Sequence, residues 1–375
     1  MSRLGTPRDH SIKVLMVLDA FDIGGTETHV LSLTKELLEQ GVSVFVAGEP
    51  GPLEGKFRLL SCQIFSYKNN FNQLEEWVRV NKINVIHAHL ESSGTYAIQL
   101  SRQLKIPLIY TVHGMYYNHS VFHKLLEMCP IKPDIVSVSL PVQKWLQKQG
   151  IDSVLIRNGI DMKEYKAKPS NLRAKLNIPE HAKVILYAGR LEDQKYEIGR
   201  MLLAAFEQSL LEALPDAYLL IAGGGLKTED MIEYVNRTTK PNRVQYIGNR
   251  NDMSDLYSIS DYIVGTGRVA LEAISCERPV IAIGSEGTFG LVTPDNFERA
   301  LRYYFCDHKC YLPTDQTSIT KAVLEGIRSI NVQDGNGSKE MRRQIKKRMD
   351  ISVVTSEVHK LYKKKVREME VHELR

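Results

Sequence analysis

A chain of 375 residues is too long for one ordinary core and suits two domains of roughly 150–200 residues each. Apolar residues at 43% and charged residues at 25% exclude a disordered or fibrous protein. The net charge of +5 is mild, and no basic stripe interleaved with aromatic residues offers a surface for nucleic acid. No apolar run approaches the ~20 residues of a membrane span, and the opening MSRLGTPRDHSIK lacks a signal peptide's apolar core. Five scattered cysteines argue against a disulfide framework, so a reducing, cytoplasmic setting is expected.

The first strand reads from 12-IKVLMVLDA-20, a near-continuous apolar run suited to burial on both faces. A glycine loop and a helix closed by Gly41 follow in 21–41, and then a strand at 42–49. The unit is β–loop–α–β, with Gly24 and Gly25 at the carboxyl end of the first strand, where open parallel sheets bind ligands. The rhythm continues through strand 83–89, helix 94–105, strand 107–114, helix 119–129, strand 134–140 and helix 141–150. A last strand and an Asn158-Gly159 turn fall in 151–165. The polar, proline-bearing segment 166–183 is read as the boundary between domains.

A second series opens at strand 184–190 and runs through helix 198–214, strand 217–225, helix 229–239 and strand 243–248. Strand 262–265 ends in Gly265-Thr266-Gly267, a helix carrying Glu272 follows, and then a strand at 279–283. Gly287, Phe289 and Gly290 suggest a mobile loop, and helices are expected at 319–330 and 351–368. Alternating strands and helices on both sides of a boundary mean two doubly wound domains facing a cleft.

Four groups of residues suggest chemistry. Backbone N–H groups at Gly265, Thr266 and Gly267, together with the helix dipole behind them, can hold an anion. Glu272 can accept two hydrogen bonds from vicinal hydroxyls such as those of a ribose. Arg190 and Lys195, after a strand end, can stabilise charge building on a departing diphosphate. Gly223 and Gly224 allow a further close backbone approach. The plain alternative for each is a turn glycine or a solvated charge. His113 closes a strand before Gly114, where a histidine is more often structural than catalytic. His87 and His89 are read as pointing to opposite faces of their strand, and Glu27 and His29 as open to being mere surface residues of a first helical turn. Cys306 and Cys310 have a metal-like spacing but no second pair nearby, so they are read as free loop thiols. No metal is expected.

In this order and spacing, Gly24-Gly25-Thr26-Glu27, Thr111-Val112-His113-Gly114, Asn158-Gly159-Ile160-Asp161, Gly189-Arg190 with Lys195, and the Glu272 helix resemble the retaining GT-B glycosyltransferases of the GT4 type. The resemblance runs from Ile12 to about Leu361. It implies an α/β GT-B fold: an acceptor-side Rossmann-like domain over 1–165, a donor domain over 166–350, and a C-terminal helix over 351–375 packing back on the first domain. It also implies a nucleotide-diphosphate sugar, UDP- or GDP-linked, as donor and no required cofactor. Donor contacts would come from Gly24, Gly25, Arg190, Lys195, Gly223, Gly224, Gly265, Thr266, Gly267 and Glu272. His113, Arg190 and Lys195 would act in catalysis, with His113 bonded to the transferred sugar. The acceptor would be a hydroxyl of a saccharide, a lipid-linked saccharide or a small molecule, in cell-envelope polysaccharide or glycoconjugate synthesis.

One departure stands out. Related chains carry a glutamate eight positions before Glu272, whereas Val264 stands here, with Thr266 at an aromatic site. A different donor sugar, reliance on backbone amides, or weak catalysis would each accommodate it. A sugar-nucleotide epimerase of the same architecture and a non-catalytic nucleotide-sugar-binding protein remain the rival readings. The basic runs 342–348 and 363–367 are read first as solvated helix faces, with a peripheral foothold on anionic lipid at the inner face of a membrane as the sharper alternative.

Overall fold

The computed structural model describes residues 11–66, 71–115, 119–129, 131–308, 313–330 and 336–373. The chain forms two compact units. The first comprises residues 1–138, 142–159 and 351–375, and the second 139–141 and 160–350.

The first unit holds a seven-stranded parallel sheet: β1 (Lys13–Ala20), β2 (Ser43–Glu49), β3 (Gln63–Phe65), β4 (Val85–Ala88), β5 (Leu108–Val112), β6 (Asp134–Ser137) and β7 (Val154–Leu155). Its order is β3-β2-β1-β4-β5-β6-β7. Val14 to Leu18 of β1 are withdrawn completely from water, and each such side chain contributes on the order of 1.5–3 kcal/mol. Helices cover both faces, which is why the strand sequences run apolar rather than alternating. The order reverses between β1 and β4, the point at which loops diverge at the carboxyl edge of such a sheet. Gly24-Gly25 leaves β1 there and His89 leaves β4.

The second unit repeats the plan with β8 (Lys183–Ala188), β9 (Ala217–Ala222), β10 (Val244–Gly248), β11 (Tyr262–Gly265), β12 (Val280–Gly284) and β13 (Gly287–Leu291), in the order β10-β9-β8-β11-β12-β13. Its reversal lies between β8 and β11, which pair through Val264 and Tyr187. That pairing sets Gly189-Arg190 beside Gly265-Thr266-Gly267. β13 runs antiparallel to β12. The stretch read as a mobile glycine loop is therefore a sheet edge, with Thr288 2% exposed.

The polar segment 166–183 belongs to the second unit and is not a bare linker. Leu172, Ile178 and Ala182 enter its core, and the Arg173 guanidinium binds the Asp261 carboxylate at 3.0 Å. The chain passes from one unit to the other at Gly159/Ile160 and again at Asp350/Ile351. A Cβ on Gly159 would lie 2.6 Å from Ile351 Cδ1 and 3.0 Å from its Cα, so a larger residue there would have to displace Ile351. The long helix Ile351–Glu373 lies on the first unit, placing Ile351, Val354, Val358 and Tyr362 in the core that holds β1.

Candidate active site

In the second unit the glycine turn is built as its spacing suggests. β11 ends at Gly265, Thr266 is extended at φ −141°, and the helix Gly267–Ser275 begins at once. Gly267 sits at φ +55°, and a Cβ there would meet Tyr304 Cε1 at 3.0 Å and Asp307 Oδ2 at 3.1 Å. The Thr266 hydroxyl donates to the Phe305 carbonyl at 2.6 Å, tying the turn to 304–307. Tyr304, Phe305 and Cys306 all take left-handed φ, an arrangement that costs energy for side-chain-bearing residues. Cys306 is fully buried and disulfide-bonded, which corrects its reading as a free loop thiol. Cys310 lies outside the described residues.

Lys195 is on the first turn of the helix Asp193–Ala205, and its ammonium holds Asp307 at 2.8 Å. Burial acts to raise the Asp307 pKa, but Lys195, His308 and Arg190 outweigh it and hold the carboxyl below its ordinary value. Arg190 is mostly solvent-facing, 3.8 Å from Glu192. Gly223 cannot be replaced, because a Cβ would lie 1.8 Å from the Gly189 carbonyl oxygen. A Cβ on Gly224 would meet the Asn249 side chain at 2.6 Å.

Glu272 is 4% exposed and already engaged. Arg268 Nε lies 2.6 Å from Oε1, and the Tyr257 hydroxyl donates to Oε2 at 2.9 Å. Burial lifts its pKa above the ordinary carboxylate value, against the pull of Arg268 and of hydrogen bonds from Tyr257 and Tyr165. Sequence reasoning passed over Arg268, although a cation four residues before a helical carboxylate was a usable signal. Asp307 gave no signal, because only the fold brings it to Lys195.

The first unit gathers histidines. Gly24 is extended at the N-terminus of the helix Gly25–Glu39, and its carbonyl accepts the Thr28 amide at 3.0 Å. Glu27 and His29, read as open to being surface residues, are buried. His113 follows β5, with Nε2 3.3 Å from His89 Nδ1 and its ring 6.0 Å from that of His29. His87 bonds the Tyr362 hydroxyl at 2.7 Å and the Thr111 hydroxyl at 2.8 Å. The His87 and His89 rings are 4.1 Å apart. Their reading as opposite-facing is thus corrected, since residues two apart share a strand face. Burial and the neighbouring His113 push His87 down to about 3. Burial and the surrounding histidines hold His89 well below its usual range as well. Among the described residues, no group of three or more His, Cys, Asp or Glu is placed to hold a metal ion.

The profile described as Glycosyltransferase Family 4 matches residues 23–164, and that of Glycosyl transferases group 1 matches 169–301. The chain belongs to this glycosyltransferase family. The glycosyltransferase is 24% identical over 319 residues to alpha-monoglucosyldiacylglycerol synthase of Streptococcus pneumoniae, covering 73% of this chain and 71% of that protein. It is also 24% identical over 332 residues to D-inositol 3-phosphate glycosyltransferase of Corynebacterium aurimucosum, covering 71% and 76%. Among solved structures, Anabaena HepE in complex with UDP and glucose superposes with a TM-score of 0.75 at 16% identity, covering 93% of this chain and 99% of that one. The transferase therefore has the GT-B fold. Among its described residues, no helix is long and apolar enough to cross a membrane.

Proposed function

We propose that this glycosyltransferase takes its sugar from a UDP- or GDP-linked donor held by the second unit and passes it to an acceptor hydroxyl with retention of configuration. The observation that carries the reading is the pairing of β8 with β11. It puts Arg190 and the Gly265–Gly267 amides at one carboxyl edge, with Lys195 tied to the turn through Asp307. Two cations and a helix N-terminus at one edge suit a departing diphosphate. Glu272 offers two acceptor oxygens to ribose hydroxyls, and Gly223-Gly224, packed closely on Gly189 and Asn249, is assigned a backbone contact with the donor. In the first unit, His113 is assigned the transferred sugar as its hydrogen-bonding partner, with the Gly24-Gly25 loop beside the acceptor.

The acceptor is proposed to be a saccharide or lipid-linked saccharide in cell-envelope or glycoconjugate synthesis, met at the inner membrane surface by a cytoplasmic enzyme. The exposed cations Lys360, Lys363, Lys364 and Arg367 on the long helix support a peripheral contact, and a relative that by its name makes a glycolipid supports a lipid acceptor.

Titration of the purified protein with nucleoside diphosphates and nucleotide sugars, followed by thermal unfolding, tests the donor assignment. A ligand at a hundredfold excess over its Kd raises stability by about 2.7 kcal/mol. The expected result is a shift with one base, lost in Arg190→Ala and Glu272→Gln. Absence of a shift with every nucleotide sugar would overturn the donor site. Retention is checked by the anomeric configuration of the product, and an inverted anomer would refute it.

A further inference from the structure

The carboxylate assigned to the ribose already has a partner at each of its oxygens. Both oxygens of Glu272 are occupied, one by Arg268 and one by Tyr257. The Arg268 and Glu272 side chains are only 9% and 6% exposed, so the pair sits where water does little to screen it. The Gly267–Ser275 helix is otherwise apolar toward the core through Ala270, Leu271, Ala273 and Ile274.

Arg268 is the residue next to Gly267, in the turn assigned to the diphosphate. Tyr304 is a neighbour of both: its ring edge lies 3.0 Å from where a Gly267 Cβ would be, and it acts electrostatically on Arg268. Arg268 is thus paired with the carboxylate assigned to the ribose and adjacent in the chain to the turn assigned to the diphosphate. Its long side chain can reach either by rotation about single bonds, and its planar fork matches a phosphate as well as a carboxylate.

We propose that Arg268 is a latch on the ribose site, exchanged when the donor binds: the guanidinium leaves Glu272 for the diphosphate, and the ribose hydroxyls take the vacated carboxylate oxygen. This rests on the donor reading above. No buried charge is left without a partner at either end of the exchange, because the Glu272 carboxylate trades one donor for others and the guanidinium trades one anion for another. A nucleoside without phosphates offers Arg268 nothing in return and meets a closed latch. The device therefore selects for ribose and diphosphate joined in one molecule.

The test compares UDP with uridine, and GDP with guanosine, by calorimetric Kd in the wild type, Arg268→Gln and Arg268→Lys. In Arg268→Gln the nucleoside is expected to bind as well as or better than to wild type. The advantage of the diphosphate over the nucleoside should shrink by about tenfold or more, the worth of one charge-assisted hydrogen bond. Arg268→Lys, which keeps the charge in the buried pair, should show a smaller loss of the same ratio and carries the test if the glutamine variant does not fold. Parallel losses for nucleoside and diphosphate would make Arg268 a mere support for Glu272 and overturn the latch, as would an unchanged ratio. A wild type that binds neither diphosphate would instead sink the donor reading itself.

Discussion

Val264 occupies the position where the family resemblance implies a glutamate, and its surroundings explain why it is apolar here. Along β11 the side chains alternate. Ile263 joins the cluster that contains the Gly267–Ser275 helix, while Val264 packs in the opposite layer with Ile185, Tyr187 and Ile281. It is completely buried. A carboxylate there would be an unpaired charge in a dry core, so Val264→Glu is expected to cost about 3–5 kcal/mol of stability. Thermal unfolding measures that, and a variant as stable as wild type with faster sugar transfer would refute this account of Val264. Asp307 calls for the opposite prediction. Its carboxylate holds Lys195, the ammonium that a diphosphate would need. Asp307→Asn should tighten nucleoside-diphosphate binding by about tenfold, as one competing charge-assisted bond is removed, and should leave nucleoside binding unchanged. Weaker diphosphate binding would show instead that Asp307 serves to position Lys195.

At the scale of elements, β4 and the loop after it gather charge-sensitive groups in a place that must stay neutral. His87 is fixed at both ring nitrogens, lies close against the tilted ring of His89, and is covered by Tyr362 of the long helix. Burial first and His113 second bring it down to about 3 from 6.5. A base whose folded pKa is depressed binds its proton more weakly when folded than when unfolded. Its share of stability is therefore intact above about pH 6.5 and drains as pH falls toward 3, by about 1.4 kcal/mol per pH unit. Glutamine can make comparable hydrogen bonds without titrating. His87→Gln should thus lose less stability than wild type between pH 7 and pH 5 in urea unfolding, and equal losses would refute the assignment.

The same elements show what could be read in the sequence. β1, β8, β9 and β11 are near-continuous apolar runs because both faces are covered, and such runs announce themselves. The Gly265–Gly267 turn was legible for a similar local reason, since its glycines and the helix behind it are neighbours in sequence. β13 was not, because its register depends on pairing across to β12 and its glycines mimic a loop. The helix Asn336–Met349 is half charged, and among its described residues it buries only a thin stripe at Met341, Ile345 and Met349. The ties of Glu272 to Tyr257 and of Lys195 to Asp307 join segments that only the finished sheet brings together.

For the molecule as a whole, the excess of five positive charges is too small to drive firm binding to an anionic surface if spread evenly. Its distribution decides the matter. On the long helix, Lys360, Lys363 and Arg367 line a 780 Å³ hollow together with Ile131 and Met369, a mixture of cations and apolar groups suited to lipid headgroups. Lys365 and Glu368 also line the hollow, but the Lys365 charge is turned inward. Lys365 is 4% exposed, 3.3 Å from Asp134 and bonded to the Lys132 carbonyl, and so belongs to the fold. Each exposed cation near an anionic bilayer contributes about 1 kcal/mol, so replacing Lys360, Lys363 and Arg367 by glutamine should weaken binding to phosphatidylglycerol vesicles by about a hundredfold. Vesicle co-sedimentation at fixed salt measures this. The control replaces Lys339, Arg343 and Lys347, which are exposed on the helix Asn336–Met349. It removes the same charge from the molecule, and under a local patch it leaves vesicle binding nearly intact. If both triple variants lose affinity alike, only the total charge matters and the long helix has no special place at the membrane.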